Sequence, residues 1–237
     1  MKRLLLSMLI TGLTVVLTGC LYPDERLEKN RIPYEDQLQS VEEAVINFRK
    51  DTGVLPIENR DMKTSIYIKY PIDFGKLIPR YLPEPPGNSF QNGGVFQYVL
   101  IDVEKDPKVK LVDLETVEKV KDYRMKIRLY LEKHDFVPFE DVLANKRYTL
   151  NYTKLGYEEQ PFVKSPFTGN NLPLIVDEQN HVYIDYSMDL YQALQNTSHD
   201  YQKGDDIRDI LMKDSMFVPA FSVPYTVKNG EPVFLIR

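Results

Sequence analysis

The chain has 237 residues, with 30 Lys+Arg against 35 Asp+Glu and a formal net charge of −5 at pH 7. An acidic chain without a basic run is a poor match for nucleic acid or anionic headgroups, and no nucleic-acid partner is expected. A single cysteine excludes an intrachain disulfide and a Cys-based metal site. With Trp absent, 16 Tyr and 11 Phe must supply the large buried surfaces.

In chain order, Lys2 and Arg3 precede an apolar run from Leu4 to Leu17, interrupted only by Ser7, Thr11, Gly12 and Thr14. A positive start followed by an apolar run of this length is an export signal. The run is too short to span a bilayer, which takes about 20 apolar residues. It closes on Leu17-Thr18-Gly19-Cys20. These four residues resemble the lipobox of bacterial lipoproteins: an apolar residue, a hydroxyl or small residue, a small residue, then cysteine. The resemblance implies cleavage between Gly19 and Cys20, a diacylglyceryl thioether on the sulfur and a fatty amide on the new N-terminus. The expected membrane contact is therefore the acyl chains on Cys20, and the expected location is the cell membrane, facing outside the cytoplasm. Each buried methylene of an acyl chain contributes about 0.8 kcal/mol, so two or more chains hold firmly where one does not. Cleavage removes residues 1–19, Lys2 and Arg3 among them, and moves the net charge from −5 to −7.

Residues 20–32 read as a lipidated tether. Leu21 to Arg31 is polar, lacks helical periodicity and reaches at most about 40 Å. Residues 33–105 read as a first module. Pro33 to Lys50 is predicted to be a helix, with Leu38, Val41, Val45 and Phe48 on one stripe and Gly53 as its C-terminal cap. Ser65 to Tyr70 and Phe96 to Val103 are predicted strands. Between them lies a Pro-rich stretch that closes in Gly87-Asn88.

The pattern then recurs in residues 106–190. An offset of 82 carries Pro56 onto Pro138 and the first stripe onto Val120, Tyr123, Ile127 and Tyr130 of a helix predicted over 114–131. It also carries Tyr70 onto Tyr152 and Gly87-Asn88 onto Gly169-Asn170. A slip of one residue then matches Asp102 with Asp185. Residues 191–237 are expected to hold a polar link, Gln192 to Asp206, and a partial third unit of helix plus hairpin. Asn229-Gly230 is the hairpin's turn signal. The predicted fold is α+β: two tandem helix-plus-antiparallel-sheet modules followed by this partial unit.

Asp51-Thr52-Gly53-Val54-Leu55-Pro56 after a helix, then Pro86-Gly87-Asn88 and a Tyr-containing strand, resembles the head of type II pseudopilins. The likeness implies a shared head shape; the lipobox and tether stand where a pseudopilin carries its apolar assembly helix. As a whole the chain resembles uncharacterised lipoproteins of Bacillus-type bacteria, which implies a compartment and no activity.

Chemistry is sparse. His134, His181 and His199 stand apart, with no helical metal-binding spacing. No nucleophile elbow or phosphate loop occurs, and no catalytic residue, metal or cofactor is assigned. Asp102 and Asp185 are read as solvated strand ends. Ser165 to Asn170 forms a turn cluster whose Thr168 and Asn170 offer donors to a ligand. Tyr152 and Tyr183 stand out within the Tyr excess, since Tyr couples an apolar body to a polar tip. The expected function is a lipid-anchored, non-catalytic binding or scaffold protein with an envelope protein as partner. Two alternatives stay open: a solute-binding lipoprotein of a transporter, and a cell-wall enzyme using paired carboxylates.

Overall fold

A computed structural model describes residues 35–62 and 64–235. The export signal, the Gly19–Cys20 cleavage site, the tether and Pro33 lie outside the described residues. Helix α1 (Glu35–Thr52) carries Glu35 and Asp36 in its first turn and Arg49 and Lys50 in its last, each matched to the helix dipole. Val41, Ala44, Val45 and Phe48 are its buried face. Gly53, at φ 76°, ends it by donating its N–H to the Arg49 carbonyl.

The strand expected over Ser65 to Tyr70 does not form. Thr64 N–H bonds Asp61 and Ile68 N–H bonds Ser65, so the segment is a run of turns. Its Tyr67 is buried while Ile66 is 59% exposed. Only single bridges follow, Ile57 with Ile72 and Pro71 with Val99. A short helix α2 (Phe74–Leu77) is capped by the Asp73 carboxylate. Strand β1 (Phe96–Ile101) matches the expectation and stops where Asp102 takes φ 50°. It pairs antiparallel with β2 (Lys108–Asp113), from Phe96 opposite Asp113 to Ile101 opposite Lys108. The expected module boundary between 105 and 106 therefore falls inside the turn of this hairpin. Tyr98, Leu100, Val109 and Leu111 pack against the α1 face, with Ile72, Phe74 and Leu77 closing the core.

Asp113 starts the second lobe by accepting the Glu115 N–H at the head of α3 (Leu114–His134). Thr116, Val120, Tyr123 and Ile127 are buried on its inner face. Then come β3 (Phe139–Ala144), β4 (Arg147–Leu150), β5 (Phe162–Lys164), β6 (Asn171–Val176) and β7 (Val182–Ile184). They form a five-stranded sheet in the order β3-β4-β6-β5, with β7 also paired to β6. All pairings are antiparallel. Asp185 is not an equivalent of Asp102: Asp102 sits in a hairpin turn, whereas the Asp185 carboxylate accepts the Ser187 N–H at the start of α4 (Ser187–Asn196). In the first lobe that place belongs to Asp113. Helix α4 also takes up the first part of the expected polar link, because Leu190 and Leu194 pack into the core.

The last segment joins the two lobes. A 3-10 helix (Ile207–Met212) leads to the hairpin β8 (Tyr225–Lys228) and β9 (Glu231–Phe234), whose turn places Asn229 and Gly230 at φ 55° and 80°. Between them, Leu111 of β2 exchanges backbone bonds with Met216 and Val218, and Ile184 of β7 donates to Phe221. The Lys110 ammonium donates to the carbonyls of Met212 and Ser215. Arg208, buried, bonds Asp206 and Ser222 and lies over the Tyr67 ring at 4.9 Å. Among the described residues no helix is long and apolar enough to cross a membrane.

Candidate functional site

The joining segment leaves a groove of about 980 Å³ between the lobes. One wall is the first half of α1, with Glu35, Leu38 and Gln39. The facing wall is the turn at Pro166–Thr168 together with α4, and Lys213 to Phe217 form the floor. Charged side chains (Glu35, Glu42, Lys213 and Asp214), amides, hydroxyls and apolar groups all line it. A lining of this kind can hold a polar ligand or an extended chain by hydrogen bonds supported by apolar contact.

Asp189 organises the wall on the second lobe. Its side chain is 0% exposed. Ser165 Oγ donates to one carboxylate oxygen and Thr168 Oγ1 to the other, at 2.5 and 2.6 Å, and the Thr168 hydroxyl in turn accepts the Asn170 N–H. Burial raises the Asp189 pKa, and the bonds from Ser165 and Thr168 only partly oppose that rise. Ser165 Oγ also accepts the N–H groups of Phe167 and Thr168, which closes the turn. The carboxylate thus pins the turn onto α4. Both of its oxygens face donors of the turn itself, so the arrangement suits a positioning role.

Thr168 and Asn170 meet within the turn, and of the two Thr168 is in the groove lining. Tyr183 and Tyr152 are elsewhere. Tyr183 donates to Asp177 at 3.0 Å, and the Arg147 guanidinium lies 5.3 Å from its ring centre. Burial and the Asp177 charge push its pKa up to about 12. Burial opposes ionisation of Asp177 itself. Donors from the His181 backbone and ring and from Tyr183 outweigh it and hold that carboxyl below its ordinary pKa. Tyr152 is half-buried in the turn after β4, where its carbonyl accepts from Leu155 and Tyr157. His134 stacks on Tyr130 and His199 on Tyr201. Among the described residues no cluster of three or more His, Cys, Asp or Glu could hold a metal ion.

Asp189, the α1 wall and the floor at Lys213 to Phe217 are not among the candidate residues that the sequence offers. A signal for Asp189 existed in Ser187-Met188-Asp189-Leu190, a polar opening followed by Leu194 at helical spacing. The other two walls are brought in by tertiary contacts across the chain.

Residues 34–113 match the family model described as the YphF family N-terminal domain. The match covers the first lobe, from the start of α1 to the end of β2. No curated protein and no solved structure matches the chain significantly.

Proposed function

We propose that the chain is a lipid-anchored, extracytoplasmic protein of the cell envelope that binds a partner in the groove between its lobes and does no chemistry on it. Anchoring is through the diacylglyceryl and N-acyl chains on Cys20. The observation that carries this half is the export signal closing on Leu17-Thr18-Gly19-Cys20. The groove supports the binding half, since the buried Asp189 in its wall is committed to Ser165 and Thr168. Replacing Cys20→Ser is expected to leave an unprocessed precursor that takes up no labelled fatty acid; normal labelling of that variant would end the anchoring claim. Reproducible cross-links from the α1 wall to an envelope protein are expected, and their absence in repeated trials would count against a protein partner.

The groove's volume and its position between two lobes also favour a second reading, capture of a small solute for a transporter. A ligand in hundredfold excess over its Kd stabilises a protein by about 2.7 kcal/mol. A rise in melting temperature with one class of metabolite would favour this reading, and a flat response across a broad panel would remove it.

A further inference from the structure

The two helix walls of the groove match in layout. On α4, Asp189, Gln192, Ala193 and Asn196 face it; on α1, Glu35, Leu38, Gln39 and Glu42 do. Both sets recur at three and four residues, so each is a single helix face. From Asp189 to Asn196 the helix rises about 10 Å, the length of about three residues of extended chain. Gln192 and Asn196 are exposed, and their side-chain amides make no hydrogen bond among the described residues. Ala193 lies between them, half-buried and too short to keep an occupant's backbone off the helix.

Charge gives the groove little preference. Glu42 has Lys108 at 3.7 Å, and the Lys110 ammonium feels both Glu42 and Asp214. Lys213 adds a further cation to the lining, and Asp189 is bonded to the turn. Selection therefore falls to the neutral amides. Each carries donor and acceptor together, the same pair that a peptide group presents. Residues four apart on a helix are separated by about 6 Å along its axis, close to the two-residue repeat of about 6.6–6.8 Å in an extended chain. Two such amides can bond alternate peptide groups along one edge of a strand. Leu38, Phe167, Met216 and Phe217 offer apolar contact to its side chains.

We infer that the groove takes an uncharged, extended peptide segment of a partner protein, with Gln192 and Asn196 holding its backbone. The inference rests on the binding reading of the groove and names the form of the occupant. A helical segment has its peptide groups bonded internally and offers these amides nothing. A glycan also meets neutral amides, but its sugar faces stack on open rings, whereas Phe167 and Phe217 are half-buried against Tyr186 and Phe96 at 5.9 and 5.5 Å.

The test pans a phage-displayed library of random heptapeptides on the full-length chain in dodecyl maltoside. The most enriched sequence is made with blocked ends and a fluorescein label and read by anisotropy. It is expected to bind. Methylating its backbone nitrogens one at a time is expected to weaken binding about tenfold at alternate positions and little between them. Gln192→Ala combined with Asn196→Ala is expected to weaken binding about tenfold and to leave the melting temperature unchanged, and Ala193→Phe to abolish binding. Gln195→Ala, on the same helix outside the groove, is expected to change nothing. No enriched binder, undiminished binding by the double variant, an equal loss with Gln195→Ala, or methylation without effect at every position would overturn the inference, as would binding of chitohexaose where no peptide binds. Cross-links from the α1 wall to an envelope protein that persist undiminished in the double variant would end this inference and leave the groove reading standing; their absence from parent and variant alike would end both.

Discussion

The two lobes end their leading helices alike and then part. In the first, the Gly53 N–H returns to Arg49 and the Ile57 N–H to Leu55 across Pro56; in the second, Asp135 returns to Leu131 and Phe139 to Val137 across Pro138. Beyond Pro56 the chain runs through turns to a lone hairpin, whereas beyond Pro138 it enters a five-stranded sheet at once. A two-stranded piece is marginal by itself and needs cover. The first lobe finds part of that cover far along the chain: Met216 and Phe217 pack on its core, and Leu111 bonds the backbone beside them. The second lobe holds a larger core of its own, with the sheet between α3, α4 and the C-terminal hairpin. One lobe is thus built around its sheet, and the other is completed by a loan from its neighbour's end of the chain.

The sharpest way to break that contrast is Leu111→Ala. A fully buried Leu cut to Ala costs about 2–5 kcal/mol, and this one faces both the α1 core and the joining segment. By hydrogen exchange the amides of Tyr98 to Leu100 are expected to lose protection before those of Ile175 and Val176. Equal loss in both lobes would refute the dependence of one on the other. A smaller effect is expected from Tyr98→Phe. It removes a buried bond to the side-chain amide oxygen (Oδ1) of Asn88 at 2.7 Å and should cost about 1–3 kcal/mol in denaturant unfolding.

Two buried carboxylates of the second lobe should respond to pH with opposite sign. The Asp177 pKa is lowered on folding, so its contribution is present above the ordinary value of 3.8 and is lost as pH falls through the folded pKa. The Asp189 pKa is raised, so the native state binds the proton more tightly and stability falls as pH rises from 3.8 through the folded pKa. Relative to the parent, Asp177→Asn should therefore lose most at neutral pH, while Asp189→Asn should fare better at neutral pH than at pH 3. Parallel unfolding curves for both variants across this range would contradict the assignment. The smallest effect is expected at the surface. Arg80→Ala removes an exposed pairing with Asp51 at 2.8 Å and should change stability by less than about 1 kcal/mol.

The α+β class and the leading helices are legible in the sequence, whereas the contrast is not: the repeat pattern predicts two like modules, and the differences have physical reasons. The stripes of α1 and α3 repeat at three and four residues and were placed correctly, as was the hairpin at Asn229-Gly230. Ser65 to Tyr70 alternates like a strand, yet turn bonds at Thr64 and Ile68 take its backbone groups before a sheet can. Strand β2 carries the alternation Lys108-Val109-Lys110-Leu111, but its pairing with β1 is a register that the repeat offset does not encode. Strand β3 gives no periodic signal because Phe139 to Leu143 are exposed on both faces. The end of helix α4 offers only Leu194 to the core and is otherwise largely exposed, so its last turn reads as part of the polar link. Thr168 and Asn170 stand out by local turn chemistry, and the carboxylate that holds Ser165 and Thr168 arrives 21 to 24 positions later, a distance no local pattern encodes.

Envelope anchoring depends above all on where the mature polypeptide begins and what its first residue carries. Intact mass spectrometry of the protein extracted by detergent from native membranes reads both at once. The expected species starts at Cys20 and bears the added mass of a diacylglyceryl group and an N-acyl chain. A species starting at Met1, or one starting at Cys20 with an unmodified thiol, would contradict it.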